Sequence, residues 1–132
     1  MTMTIAEVPA TALTHAQMAR YAERLGIPHF RGVFMRERLP RRGPRARECA
    51  VINLDSVEGE GTHFVAYAKR GRNVKYFDSF GLQPPPEFFD YLSRAATNTA
   101  FDVKYNQSQV QRNEASDCGR LCLSFLLREW KK

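Results

Sequence analysis

Apolar and polar residues alternate from Glu48 to Leu54, and the stretch is rich in β-branched side chains, which predicts a strand. Two more strands follow, Thr62 to Lys69 and Asn73 to Phe77, joined by Arg70-Gly71-Arg72 with the turn chemistry of a hairpin. Phe101 to Tyr105 reads as a further strand. Leu13 to Leu25 reads as a helix, opened by Thr14 and closed by Gly26. Gln83-Pro84-Pro85-Pro86 is a stiff connector, with Pro86 suited to a first helical turn, so Pro86 to Ala96 is read as a helix. Its Phe88, Phe89, Tyr91 and Leu92 are assigned to the core. Cys118 to Trp130 holds strong helix formers and no proline, behind the cap types Ser116 and Asp117, and its apolar composition requires burial. Pro28 to Arg47 carries no such pattern and reads as irregular. The sum is an α+β fold, a small mostly antiparallel sheet packed with helices. Residues 1–12 are expected to be a flexible N-terminal tail and residues 13–132 a single domain.

Composition limits the function classes. The chain has 132 residues, 43% hydrophobic and 26% charged, ordinary values for one globular domain with one core. No apolar run approaches the roughly 20 residues that span a bilayer, and the N-terminus has no signal-peptide pattern. Three cysteines without framework spacing suggest a reducing compartment, nucleus or cytoplasm of a host cell or a virion, rather than secretion. No CxxC pair or His/Cys cluster argues for a metal.

Against that background one ordered series stands out. Gly61-Thr62-His63 opens a strand, Asp78 closes the next one ahead of Phe80-Gly81, and Gln111 precedes Cys118-Gly119 by seven residues. A cysteine attacks as thiolate, and an imidazolium or a helix N-terminus favours that form. Cys118 falls in the first turn of the predicted helix, where unpaired N–H groups point outward and could also hold an oxyanion. His63 can serve as base and Asp78 as the group that fixes its tautomer, while Gln111 can add an amide donor to the oxyanion. Each residue alone reads blandly: His63 as a strand histidine, Asp78 as a turn residue, Gln111 as a solvated loop residue. Cys118 alone reads as a buried thiol, the role also assigned to Cys122. Their order and local settings together outweigh those readings.

The quartet resembles the adenovirus maturation protease (adenain) family and its viral and mobile-element relatives, and more distantly the SUMO-specific proteases. The match lies at Gly61-Thr62-His63, Asp78 with Phe80-Gly81, Gln111 and Cys118-Gly119. Ile27 to Met35 is similar to an N-terminal signature of the mobile-element branch, so the resemblance runs from about residue 13 to Trp130. Phe64 stands where the family commonly has Trp, and Asp78 where adenoviruses have Glu, as in the SUMO proteases. The resemblance implies a cysteine endopeptidase with its nucleophile on a central C-terminal helix. His63 would be base, Asp78 its partner, Gln111 the oxyanion donor and Cys118 the nucleophile. It implies viral or mobile-element precursor proteins as polypeptide substrates, cut at Gly-containing sites. The chemistry requires no cofactor, though DNA or a peptide would act as activator by analogy with adenain. The alternative is a deconjugating protease for a ubiquitin-like modifier, for which the short chain leaves little gripping surface.

Charge adds one further candidate. The net charge is +6. Arg31, Arg36, Arg38, Arg41, Arg42, Arg45 and Arg47, against the single acid Glu37, account for all of it. Such a run is usually a solvated loop, and Pro40 and Pro44 fit one. Concentrated arginine also suits phosphate backbones, in a sequence-independent and salt-sensitive way.

Overall fold

The computed structural model describes residues 3–54, 63–95, 100–106 and 118–130. Helix α1 spans His15–Leu25. Thr14 and Gln17 form a reciprocal capping box at its start, and Gly26 at φ 68° ends it in the left-handed region. Met18, Ala22 and Leu25 recur on one face and are buried. Strand β1 is Phe30–Met35, β2 Arg47–Asn53, β3 Phe64–Arg70 and β4 Asn73–Phe77. Helix α2 is Pro86–Ser93, β5 Asp102–Tyr105 and α3 Cys118–Trp130.

The five strands lie in sequence order. Pairing is antiparallel in the centre, β2 with β3 and β3 with β4, and parallel at both edges, β1 with β2 and β4 with β5. The sheet is therefore mixed, and the edges are where the expected antiparallel pattern gives way. The stretch read as irregular supplies β1. Its alternation is broken at Gly32, whose φ of 143° accompanies a register shift between Phe30 and Val33, so period-two patterning does not show it. A short 3₁₀ turn, Arg36–Arg38, follows.

Both faces of the central strands are covered. Cys49, Val51, Phe64, Ala66 and Phe77 pack against α1 and α3, while Ile52, Val65, Tyr67 and Tyr76 pack against α2. With both faces of the sheet covered, nearly every position of β2 and β3 is buried, whichever way its side chain points. Phe88, Tyr91 and Leu92 of α2 are buried as expected, but Phe89 is 47% exposed and the helix ends at Ser93.

The N-terminal stretch, expected to be a loose tail, is tied down. Ile5–Glu7 forms a 3₁₀ turn, Val8 is buried in the α1–α3 core, and its carbonyl accepts a hydrogen bond from Arg120 Nε at 3.1 Å. Met3 and Ile5 also pack against that core and the Met3 N–H donates to the Arg24 carbonyl at 3.4 Å, contacts too few and too scattered to show as a periodic pattern.

On the α2 face lies a fully buried carboxylate, Glu48. Oε1 accepts from Arg31 Nη1 at 3.2 Å and from the Arg45 N–H at 2.7 Å. Oε2 accepts from the Tyr67 and Tyr91 hydroxyls, both at 2.5 Å. Arg31 Nη1 also donates to the Gly43 carbonyl at 3.0 Å, and Lys69 Nζ to the Arg45 carbonyl at 2.6 Å. A buried charge is tolerable only when paired and hydrogen-bonded, and this one fastens the arginine-rich segment to the sheet.

Candidate active site

The β3–β4 ladder has Ala66 opposite Phe77, so the residue just before β3 and the residue just after β4 leave the sheet at the same end. Those residues are His63 and Asp78. His63 Nε2 lies 2.9 Å from Asp78 Oδ1, with the carboxylate fully buried and the imidazole side chain 19% exposed. The same oxygen accepts the Phe80 N–H at 2.8 Å, and the Phe80 ring stacks on the imidazole with centroids 4.7 Å apart and planes 26° from parallel. Gly81, at φ 75°, closes the turn by donating its N–H to the Asp78 carbonyl at 2.8 Å. Asp78 Oδ2 is buried and finds no hydrogen-bond partner among the described residues.

The thiol comes from α3. Cys118 is the first residue of that helix and is buried. Its side chain hydrogen-bonds His63. With Nε2 directed to Asp78, Nδ1 is the ring nitrogen left for the thiol. Burial would lower the His63 pKa, but hydrogen bonds to Asp78 and Cys118, with the charges of both, outweigh it and push it from 6.5 up to about 9. The ring is therefore an imidazolium through neutral pH, the partner that a thiolate requires.

Helix α3 is held close to the sheet and to α1. A Cβ on Gly119 would come within 2.7 Å of Met18 Sδ, so the absent side chain lets the helix start approach α1. Cys122, one turn on, donates its thiol to the Phe64 carbonyl at 3.3 Å, tying the helix to the residue after His63. Burial pushes the Cys122 pKa up, so it stays a protonated, inert thiol. None of the three cysteines is in a disulfide.

The structure thus brings together His63, Asp78 and Cys118. Gln111 lies outside the described residues. Of the seven arginines, Arg31 is turned inward onto Glu48, and Arg36 lies 3.5 Å from Glu37 and 3.9 Å from Glu87. Arg31 is therefore corrected as a phosphate-binding candidate, because its charge is neutralised inside the protein. Arg38, Arg41, Arg42, Arg45 and Arg47 are exposed. Phe80 belongs to the motif read in the sequence, though its stack on His63 is not legible there, while Asn106, which hydrogen-bonds both backbone polar groups of Asp78, has no sequence signal. An asparagine after a strand is an ordinary turn residue, and only the β4–β5 pairing puts it beside the acid. Among the described residues no three His, Cys, Asp or Glu side chains could hold a metal ion, and no helix is long and apolar enough to cross a membrane.

No family model matches the chain, and no curated protein does. Among solved structures it is similar to the ASFV pS273R protease, at 18% identity and a TM-score of 0.61, over 92% of this chain and 58% of that one. At this identity the likeness shows the fold. The α+β sheet with its C-terminal helix is the fold of a viral protease, and the chain spans 58% of that protease's length.

Proposed function

We propose that the protein is a cysteine endopeptidase. The observation that carries this reading is a single hydrogen-bonded chain, Asp78 to His63 to Cys118, at one end of a protease-like fold. The Cys118 thiolate attacks the scissile carbonyl, and the oxyanion takes N–H bonds from the start of α3 and from Gln111. The His63 imidazolium gives its proton to the leaving amine as the C–N bond breaks, leaving a thioester. Water, deprotonated by His63, then attacks the thioester and releases the carboxylic acid and the thiolate. Asp78 holds the ring in the orientation and tautomer that both steps need.

The substrates we assign are precursor polypeptides of viral or mobile-element type, cut at Gly-containing sites, in a reducing compartment or a virion. Support for this is the motif resemblance together with the viral origin of the structural neighbour. The exposed arginines suit non-specific DNA as a scaffold or activator. Arg45 and Arg47 sit near the Arg70 end of β3, which is ~20 Å from His63 along a seven-residue strand. Bound phosphates there would leave the thiol uncovered.

The test is cleavage of Gly-Gly-containing peptides by wild type and Cys118→Ala, with and without duplex DNA. Turnover in the wild type and none in the variant is expected. Cleavage by Cys118→Ala would remove the mechanism. Cleavage confined to ubiquitin-like fusions would move the substrate to the deconjugating class and leave the chemistry in place.

A further inference from the structure

Strand β5 ends at Tyr105, paired with Tyr76 of β4. The next residue on each side is Asn106 and Asp78's neighbour Phe77, and here the backbone ladder stops. A side chain continues it. Asn106 Oδ1 accepts the Asp78 N–H at 3.0 Å, and Asn106 Nδ2 donates to the Asp78 carbonyl at 2.6 Å. Both backbone polar groups of the acid are thus held by one amide, 28 positions away in sequence. The Asp78 carboxylate has little else to fix it: His63 Nε2 and the Phe80 N–H share Oδ1, and Oδ2 has no donor among the described residues.

We infer that Asn106 is a positioning residue for the acid–base pair, setting through two backbone hydrogen bonds where the Asp78 carboxylate stands against His63. The inference rests on the cysteine peptidase reading for its effect on turnover, though not for its effect on His63. Without the Asn106 amide, the Asp78 carbonyl keeps the Gly81 N–H, but the Asp78 N–H has lost the acceptor that Asn106 gave it. The backbone then turns to find water, and the carboxylate turns with it. Displacements of about 1 Å in such groups are worth up to about 10²-fold in rate. Asn106 is half-buried and lines an open groove of about 310 Å³ with Lys104, Tyr105, Phe125 and Arg128, so truncation there leaves no sealed cavity in the core.

The experiment compares wild type, Asn106→Ala and Asn106→Asp. The aspartate keeps an acceptor for the Asp78 N–H, but turns a carboxylate oxygen instead of a donor toward the Asp78 carbonyl and adds a negative charge there. In Asn106→Ala, kcat should fall about 10-fold or more with KM within about twofold. The alkaline limb of the pH profile, near 9 in the wild type, should move toward 6.5. Asn106→Asp should keep the limb at or above its wild-type position, with kcat between that of Asn106→Ala and that of the wild type. In an Asp78→Asn background, Asn106→Ala should cost nothing further, because the two act through one group. The His63 ring titration, followed by NMR, needs no turnover and reads the same shift. Should the wild type neither cleave peptides nor be alkylated at Cys118, the peptidase reading fails while the titration still decides on Asn106. An unmoved His63 titration in Asn106→Ala, or a loss of kcat that adds in full to that of Asp78→Asn, overturns the inference. If Asn106→Ala does not fold, Asn106→Ser and Asn106→Asp carry the same titration.

Discussion

Two buried carboxylates, Glu48 beneath α2 and Asp78 just past the end of β4, are satisfied very differently. Glu48 receives four donors, two on each oxygen, from Arg31, the Arg45 backbone, Tyr67 and Tyr91. Asp78 has both its side-chain bonds on Oδ1, while Oδ2 is unpartnered among the described residues. Saturated polar networks fix structure, whereas an under-satisfied buried group keeps electrostatic force for something else. At Glu48 the network pins a loop to the strands. At Asp78 the charge acts on a largely buried imidazole that faces a thiol. The burial that pushes Tyr91 up to about 12, chiefly by desolvation, silences a hydroxyl, but the charges around His63 overcome burial and keep its ring protonated.

The contrast can be broken at several points. The largest effect is expected at Cys118→Ala, which should abolish turnover on every substrate with the melting temperature nearly unchanged, as calorimetry would show. Asp78→Asn should lower kcat by about 10²–10⁴-fold and move the alkaline limb down, because the imidazolium loses its charged partner. Glu48→Ala should act on stability instead. It strands the Arg31 guanidinium and two tyrosine hydroxyls, and denaturant titration should show about 3–5 kcal/mol lost, with activity per folded molecule retained. If that variant loses kcat before it loses structure, the division between the two carboxylates is wrong.

A smaller effect is linked to pH. The His63 pKa is raised on folding from 6.5 to about 9, so the pairing contributes stability that is complete below about pH 6.5 and is lost as pH rises through about 9. The stability difference between wild type and Asp78→Asn should therefore be greatest near pH 6 and shrink above pH 9, measured by unfolding at each pH. A difference that grows with pH would contradict the assignment of the charge to His63. Least of all, Arg41→Ala with Arg42→Ala should change stability by under about 0.5 kcal/mol and leave short-peptide turnover alone. Any duplex binding should weaken and lose part of its salt slope. Unaltered binding would separate the basic segment from nucleic acid.

The sequence alone determined the local chemistry. Thr14 and Gly26 bounded α1, Pro86 opened α2, and the local contexts of His63, Asp78 and Cys118 singled out three groups that the fold then brings together, because caps, turns and short motifs depend on a few neighbouring residues. The tertiary structure decided what depended on distant partners. Strand β1 was hidden because Gly32 breaks its alternation and its pairing is with β2. Val8 was hidden because a single core contact has no period. Arg31 joined the basic run on paper, yet Glu48, 17 positions on, takes it inside. Asn106 carries no motif, since its part at Asp78 exists only once β5 is laid beside β4. Side-chain identity fixes what a group can do, and pairing across the sheet fixes what it meets.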